Sequence, residues 1–188
     1  MTGKRRRKFS VFIILAAVLI SAVLLADSAV RTLYPLKYSE LVQKYSEQYD
    51  LDPYLIFAII KAESSFRHTA VSRKNARGLM QITEGTGKWS ADSIGLKDYT
   101  ADMLFDPETN INIGCWYLAR LYYEFGDTDL VLAAYNAGSG NVSRWLKNKE
   151  LSPSGETLDK IPFRETEKYL KKVRNNYLIY KKLYGNMF

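Results

Sequence analysis

One cysteine and one histidine are all that this chain of 188 residues has of two versatile catalytic and metal-binding side chains. Cys115 has no partner, so an intramolecular disulfide is excluded. Set in the apolar pattern Gly114-Cys115-Trp116-Tyr117, it reads as a buried, inert thiol. His68 stands alone in a polar turn and is a poor candidate for a catalyst. Only carboxylates remain as metal ligands, and none shows the loop spacing that would hold an ion. No metal and no cofactor is expected. Sustained period-two alternation is also missing, as is any internal repeat, which argues against sheet-built and solenoid folds.

An excess of charge is missing from the part of the chain that would fold. The net charge is +7, but Lys4, Arg5, Arg6, Arg7 and Lys8 supply five positives before residue 27, leaving 22 basic against 20 acidic residues. That balance gives no basic face for nucleic acid, which is not expected as a partner. The apolar share, 47%, with 13% aromatic, is enough to build a real core for one domain and an extension.

What the five charges introduce is a long uncharged run, Phe9 to Ala26, broken only by Ser10 and Ser21. It reaches the length of a membrane span and exceeds the core of an ordinary signal peptide. The expected organisation is a basic cytoplasmic segment (1–8), a membrane anchor or uncleaved signal (9–26), a spacer (27–37) and a folded domain (38–188) outside the cell membrane. Cleavage is the rival reading, since Ala26 and Ser28 form a small-x-small site before Ala29, and Arg5-Arg6-Arg7 permits twin-arginine export. Either route exports the domain.

That domain reads as all-α. Tyr38 to Tyr49 places Leu41, Val42, Tyr45 and Tyr49 at helical spacing. Asp52-Pro53 is an N-cap with proline at the first helical position, predicting helix from Tyr54 to Ser65. Further helices are expected from Thr83 to about Ala91, from Asp106-Pro107 to Phe125 with Gly126 as C-cap, from Leu130 to Ala137, from Val142 to Lys149, and from Glu165 to Tyr184. The last carries Tyr169, Val173, Tyr177, Tyr180 and Tyr184 on one stripe, which reads as core. Glu63 is the misfit. Leu55, Ile56, Ile59 and Ile60 share an apolar stripe, and helical steps carry the same stripe onto Glu63. A carboxylate aimed at a core is costly unless it is protonated, paired or used.

Four ordered motifs surround it: Glu63-Ser64-Ser65-Phe66, Ala70-Val71-Ser72, Gly78-Leu79-Met80-Gln81-Ile82 and Ala134-Tyr135-Asn136-Ala137-Gly138. Asp106-Pro107-Glu108, Asn110-Ile111, Gly114 and Tyr117-Leu118 lie between them, and Ile161-Pro162-Phe163 with Glu165-Thr166, Tyr169 and Val173 follows. Together, over residues 38–184, they resemble the catalytic domain of the soluble lytic murein transglycosylase family. The resemblance implies a lysozyme-like, goose-type multi-helix domain that cleaves the N-acetylmuramic acid to N-acetylglucosamine bond of peptidoglycan. It makes Glu63 the catalytic acid, and Ser72, Gln81, Tyr135, Asn136 and Glu165 residues that hold the glycan, its peptide or the catalytic carboxylate. The chain departs from the pattern at Arg67-His68, where an Asn-Pro type pair is usual, at Asn75 for Gly, and at Thr83-Glu84 for Met-Pro. Asn75 tolerates the left-handed conformation a glycine supplies.

Breaking a glycosidic bond needs an acid that keeps its proton near neutral pH. Apolar neighbours and the negative end of its helix both predict a raised pKa for Glu63. No second carboxylate accompanies the motifs as nucleophile or base. That absence fits the family's route, in which the muramic acid 6-hydroxyl closes onto the anomeric carbon to leave a 1,6-anhydro end, with Glu63 acting as acid and then as base. A hydrolytic muramidase on the same fold and a non-catalytic peptidoglycan-binding module are the competing readings. Each site residue also has a plain structural alternative: a paired buried acid for Glu63, a turn for Gln81, core packing for Tyr135, a cap for Asn136 and a helix first turn for Glu165.

Overall fold

The computed structural model describes residues 2–185 and 187–188. The chain divides into two compact units, one ending at Pro35 and one running Leu36–Phe188. The first is a single helix, α1 (Thr2–Leu33), so residues 27–33, expected as spacer, continue it. Its stretch Val11–Leu33 is 23 residues long, with mean hydropathy 2.6 over its most apolar 18 residues, and large side chains such as Phe12, Leu19 and Leu25 are exposed along it.

The second unit holds α2 (Ser39–Tyr49), α3 (Pro53–Glu63), α4 (Glu84–Ser93), a 3-10 turn (Ala101–Phe105), α5 (Pro107–Phe125), α6 (Thr128–Ala137), α7 (Ser139–Leu146) and α8 (Arg164–Tyr184). Among the described residues there is no strand, only two isolated bridge pairs within residues 71–82. The helix starts follow from side-chain caps: Asp52 accepts from the Tyr54 amide at 2.8 Å, Asp106 from Thr109 at 2.8 Å and Asp127 from Asp129 at 2.9 Å.

α3 is the centre. From Tyr54 to Ala62 every residue but Lys61 is buried, so the helix has no solvent face and is enclosed on all sides. α8 is its main partner, with α2 beside it. Phe57 stacks on Tyr180 with ring centres 5.5 Å apart, and the buried Asn176 amide donates to the Ala58 carbonyl at 3.2 Å. Asp52, besides capping α3, accepts from the Tyr177 hydroxyl at 2.8 Å and so fixes α8 against it.

α3 ends at Glu63, two residues earlier than the periodicity predicts. Ser65 and Phe66 both lie in the left-handed region, at φ 51° and 64°, and no glycine is there to relieve them. Each costs about 1 kcal/mol or more. Burial of the Phe66 ring, 6.4 Å from that of Phe57, offsets this. The sharp turn makes Glu63 the last helical residue and throws the chain outward past its carboxyl.

The segment after that turn is braced from α5. Asn110, wholly buried, accepts from the Met80 amide at 2.8 Å and donates to the carbonyls of Arg77 at 3.0 Å and Leu104 at 2.8 Å. Gly78 lies so close to this knot that a Cβ would stand 2.1 Å from the Leu104 oxygen, and its φ is +78°, so only glycine fits. Asn110, on the helix that the Asp106 cap begins, thus seats Gly78-Leu79-Met80-Gln81-Ile82, while Glu108 accepts from Lys44 and Tyr45 of α2.

A chain lacking residues 1–30 is expected to be soluble and to unfold in one cooperative transition, because the second unit carries its own core. Loss of that transition in circular dichroism melting would contradict the boundary.

Candidate active site

Glu63, Ser72, Gln81, Tyr135, Asn136 and Glu165 come from four separate parts of the chain, and all six line one cavity of about 480 Å³. α3 delivers Glu63 to its floor, the 72–81 segment forms one wall, the end of α6 supplies Tyr135 and Asn136, and the first turn of α8 supplies Glu165. Arg73, Lys74, Ala76 and Thr83 complete it.

Glu63 stays in partial contact with solvent along the cleft, while its carboxyl sits below the surface. Burial lifts its pKa from an ordinary 4.5 to about 7, against the opposing pull of the Tyr169 hydroxyl and the Lys172 ammonium; the charge of Glu165 adds slightly to the rise. The helix dipole matters less than the sequence suggests. Lys172 donates to the Ala62 carbonyl at the end of α3 and places a positive charge on the very end that would repel the carboxylate. The Tyr169 hydroxyl is buried and makes no hydrogen bond of ordinary geometry. Its influence on Glu63 is therefore that of a close neighbour able to tighten. Burial, and then the charge of Glu63, holds the phenols of Tyr169 and Tyr135 well above the ordinary range, so both stay protonated.

The polar residues around Glu63 each divide their hydrogen-bonding capacity. Tyr135 donates to the Met80 carbonyl at 2.8 Å, which commits its proton and leaves the oxygen able to accept. Gln81, at φ 52°, donates through its amide nitrogen to the carbonyls of Ala70 and Gly78 at 3.1 and 2.9 Å, and its amide oxygen remains for the cavity. Ser72 Oγ accepts from the amides of Lys74 and Ala76 at 3.2 and 3.0 Å; its proton is left to donate. Asn136 accepts from Thr166 at 2.8 Å through its oxygen, leaving an NH₂ group. Glu165 is largely exposed at the rim, 3.9 Å from Lys74. Asn75 holds φ 60° in the turn below Lys74, as expected for an Asn standing for Gly.

Two contributors escape the sequence reading. Tyr169 belongs to the tyrosine stripe expected to be core, and it is buried, yet its hydroxyl faces Glu63. Lys172 lies off that stripe. Their spacing, with Glu165 at i, Tyr169 at i+4 and Lys172 at i+7, is a helical face that would have signalled them. His68 is exposed and its ring contacts the Phe105 carbonyl at 3.2 Å. Cys115 is buried and burial raises its thiol pKa. Neither lines the cavity.

An all-helical domain enclosing one apolar helix, with a proton-retaining glutamate at that helix's end and a polar cleft above it, defines a lysozyme-like class. The family model for the transglycosylase SLT domain matches residues 40–155. The chain is 38% identical over 143 residues to a soluble lytic murein transglycosylase of Salmonella typhimurium, covering 74% of this chain and 22% of that one. It is 34% identical over 177 residues to a membrane-bound lytic murein transglycosylase C of Edwardsiella ictaluri, covering 78% and 47%. The crystal structure of the 70-kDa soluble lytic transglycosylase from Escherichia coli superposes with a TM-score of 0.73 at 34% identity, covering 82% of this chain and 26% of that one. The chain belongs to the transglycosylase SLT domain family, and it spans about a quarter to a half of the length of these relatives.

Titrating Glu63 by carbon-13 NMR is expected to give a midpoint near 7. The sign follows from linkage. Between about pH 4.5 and 7 the unfolded chain has lost this proton and the folded chain has kept it, so stability falls as pH rises, by about 2–3 kcal/mol over the window. Glu63→Gln should remove that slope. A midpoint near the ordinary value would contradict the site as described.

Proposed function

We propose that this chain is a membrane-anchored, exported lytic transglycosylase that cleaves the bond between N-acetylmuramic acid and N-acetylglucosamine in peptidoglycan. It leaves 1,6-anhydro-muramic ends and uses Glu63 alone as acid and then base. The observation that carries this reading is the pairing of one glutamate held near pKa 7 with a cavity whose other lining carboxylate, Glu165, lies exposed at the rim beside Lys74.

Chemistry follows from what each group can give. Protonated Glu63 delivers its proton to the glycosidic oxygen as positive charge builds at the anomeric carbon. The resulting carboxylate then accepts the proton of the muramic 6-hydroxyl as that oxygen bonds to the anomeric carbon. Glu63 ends the turnover protonated, and no water is consumed. A pKa near 7 suits both halves, since neither protonation state is held strongly. Lys172 and Tyr169 stabilise the carboxylate that exists between the two steps. The Gln81 oxygen, the Asn136 amide and the Ser72 hydroxyl are suited to the acetamido and hydroxyl groups of the sugars. Lys74 and Glu165 at the rim suit the charged groups of a stem peptide.

Anchoring rests on α1. Its candidate span, Val11–Leu33, is 23 residues long, about 34 Å as a helix against a bilayer core of roughly 30 Å, with Asp27 and Arg31 in its last two turns. The basic cluster before it favours the cytoplasmic side, which puts the Leu36–Phe188 unit outside. Several relatives, that of Edwardsiella ictaluri among them, carry the description membrane-bound. Secretion after signal cleavage is the alternative.

The charge of Glu165 does reach Glu63, and a hydrolytic muramidase would use such a second carboxylate to activate water. Kinetics on isolated peptidoglycan tests the reading. Glu63→Gln is expected to reduce cleavage about a hundredfold or more while glycan binding persists. Wild-type kcat/KM should fall about tenfold per pH unit above a break near pH 7. Undiminished cleavage by Glu63→Gln would remove Glu63 from the reaction, and inactive wild type with intact glycan affinity would make the domain a binding module.

A further inference from the structure

We infer that Trp89, with Thr86 and Tyr117, forms a stacking platform for a sugar of the glycan strand distant from the cleaved bond. The inference rests on the glycan-cleaving function proposed above and names a residue that reading does not use.

The groove does not stop at the cavity holding Glu63. A second cavity of about 300 Å³ shares Lys74, Gln81, Thr83, Tyr135 and Asn136 with the first and adds Thr86, Tyr117 and Gly138. Tyr135 is thus one of the residues where the two cavities meet. From it a line of rings leads outward: Tyr135 to Tyr117 is 5.5 Å between centres, and Tyr117 to Trp89 is 6.2 Å. Thr86 and Trp89 are three residues apart on α4, so Trp89 is the next side chain on the face whose Thr86 lines the second cavity.

Trp89 is 47% exposed, which is costly for the largest apolar side chain of a small domain. Its two aromatic neighbours cross it nearly at right angles, Trp116 at 81° and Tyr117 at 78°. They hold the indole firmly, yet neither ring lies parallel against its face. A pyranose presents a face of C–H groups with slight positive charge, and an indole face is negative and apolar, so the two stack. The indole N–H adds a polar group at the ring's edge, and the Thr86 hydroxyl, which accepts from the Thr83 hydroxyl at 3.0 Å, keeps its own proton for a sugar hydroxyl or an acetamido carbonyl. A core tryptophan would have the same neighbours without the exposure or the adjoining cavity.

The test uses the full chain and glycan strands of graded length. With long strands, Trp89→Ala is expected to raise KM about fivefold with kcat little changed. The effect should shrink as the substrate shortens to the sugars flanking Glu63, and Trp89→Phe should recover most of the loss. Equal effects at every length, or none, would overturn the platform. Binding of the same fragments to Glu63→Gln, with and without Trp89→Ala, separates this from the parent reading. If wild type cleaves but the two bind long strands alike, only the platform fails; if wild type cleaves nothing, the proposed function fails first. If brominated lipids in vesicles carrying the full chain quench the Trp89 contribution to fluorescence and glycan leaves it unchanged, Trp89 is a membrane contact and the proposal is overturned.

Discussion

Burial of a single carboxyl at the end of α3 is the constraint on which the site depends. The helix is buried from Tyr54 to Ala62 except at Lys61, so its last residue inherits an environment that disfavours charge, and the carboxyl keeps its proton to about pH 7. Two features keep the position from becoming merely destabilising. The left-handed turn at Ser65 and Phe66 ends the helix at once, so the carboxyl opens onto a cleft instead of the core. Lys172, seated on the Ala62 carbonyl, and the Tyr169 hydroxyl stand ready to stabilise the anion. The acid is therefore balanced between two states, which is what the proposed double role as proton donor and acceptor would need.

The cleft around it is built from side chains committed at one end. Tyr135 is tied to Met80, Gln81 to Ala70 and Gly78, Ser72 to the amides of its own turn, and Asn136 to Thr166. Each spends part of its hydrogen-bonding capacity on the scaffold and turns the remainder into the cavity, so its geometry is set before a ligand arrives. Asn110 is committed entirely, its amide tying Met80 and Arg77 to Leu104 and so bracing the segment that carries Gln81.

Much of the fold is legible from local chemistry. Asp52-Pro53 and Asp106-Pro107 mark helix starts through capping, and the glycines at 126 and 138 mark helix ends. Glu63 stands out by violating an apolar pattern. The periodicity overruns the end of α3 by two residues because Ser65 and Phe66 carry no mark of the left-handed backbone they adopt; tertiary burial of Phe66 imposes it. Tyr169 and Lys172 escape for a related reason: their roles depend on how α8 lies against the end of α3. The enclosure of α3 on all sides is likewise a property of packing, of which the sequence shows only the stripe.

On the proposed route one carboxylate performs both proton transfers and water stays out of the reaction. Cleaving peptidoglycan in water enriched in oxygen-18 tests this most directly, with the new muramic ends read by mass spectrometry. Anhydro ends that carry no heavy oxygen are the predicted result. Reducing ends with oxygen-18 at the anomeric position would contradict it and show that a water molecule, not the sugar's own 6-hydroxyl, attacks the anomeric carbon.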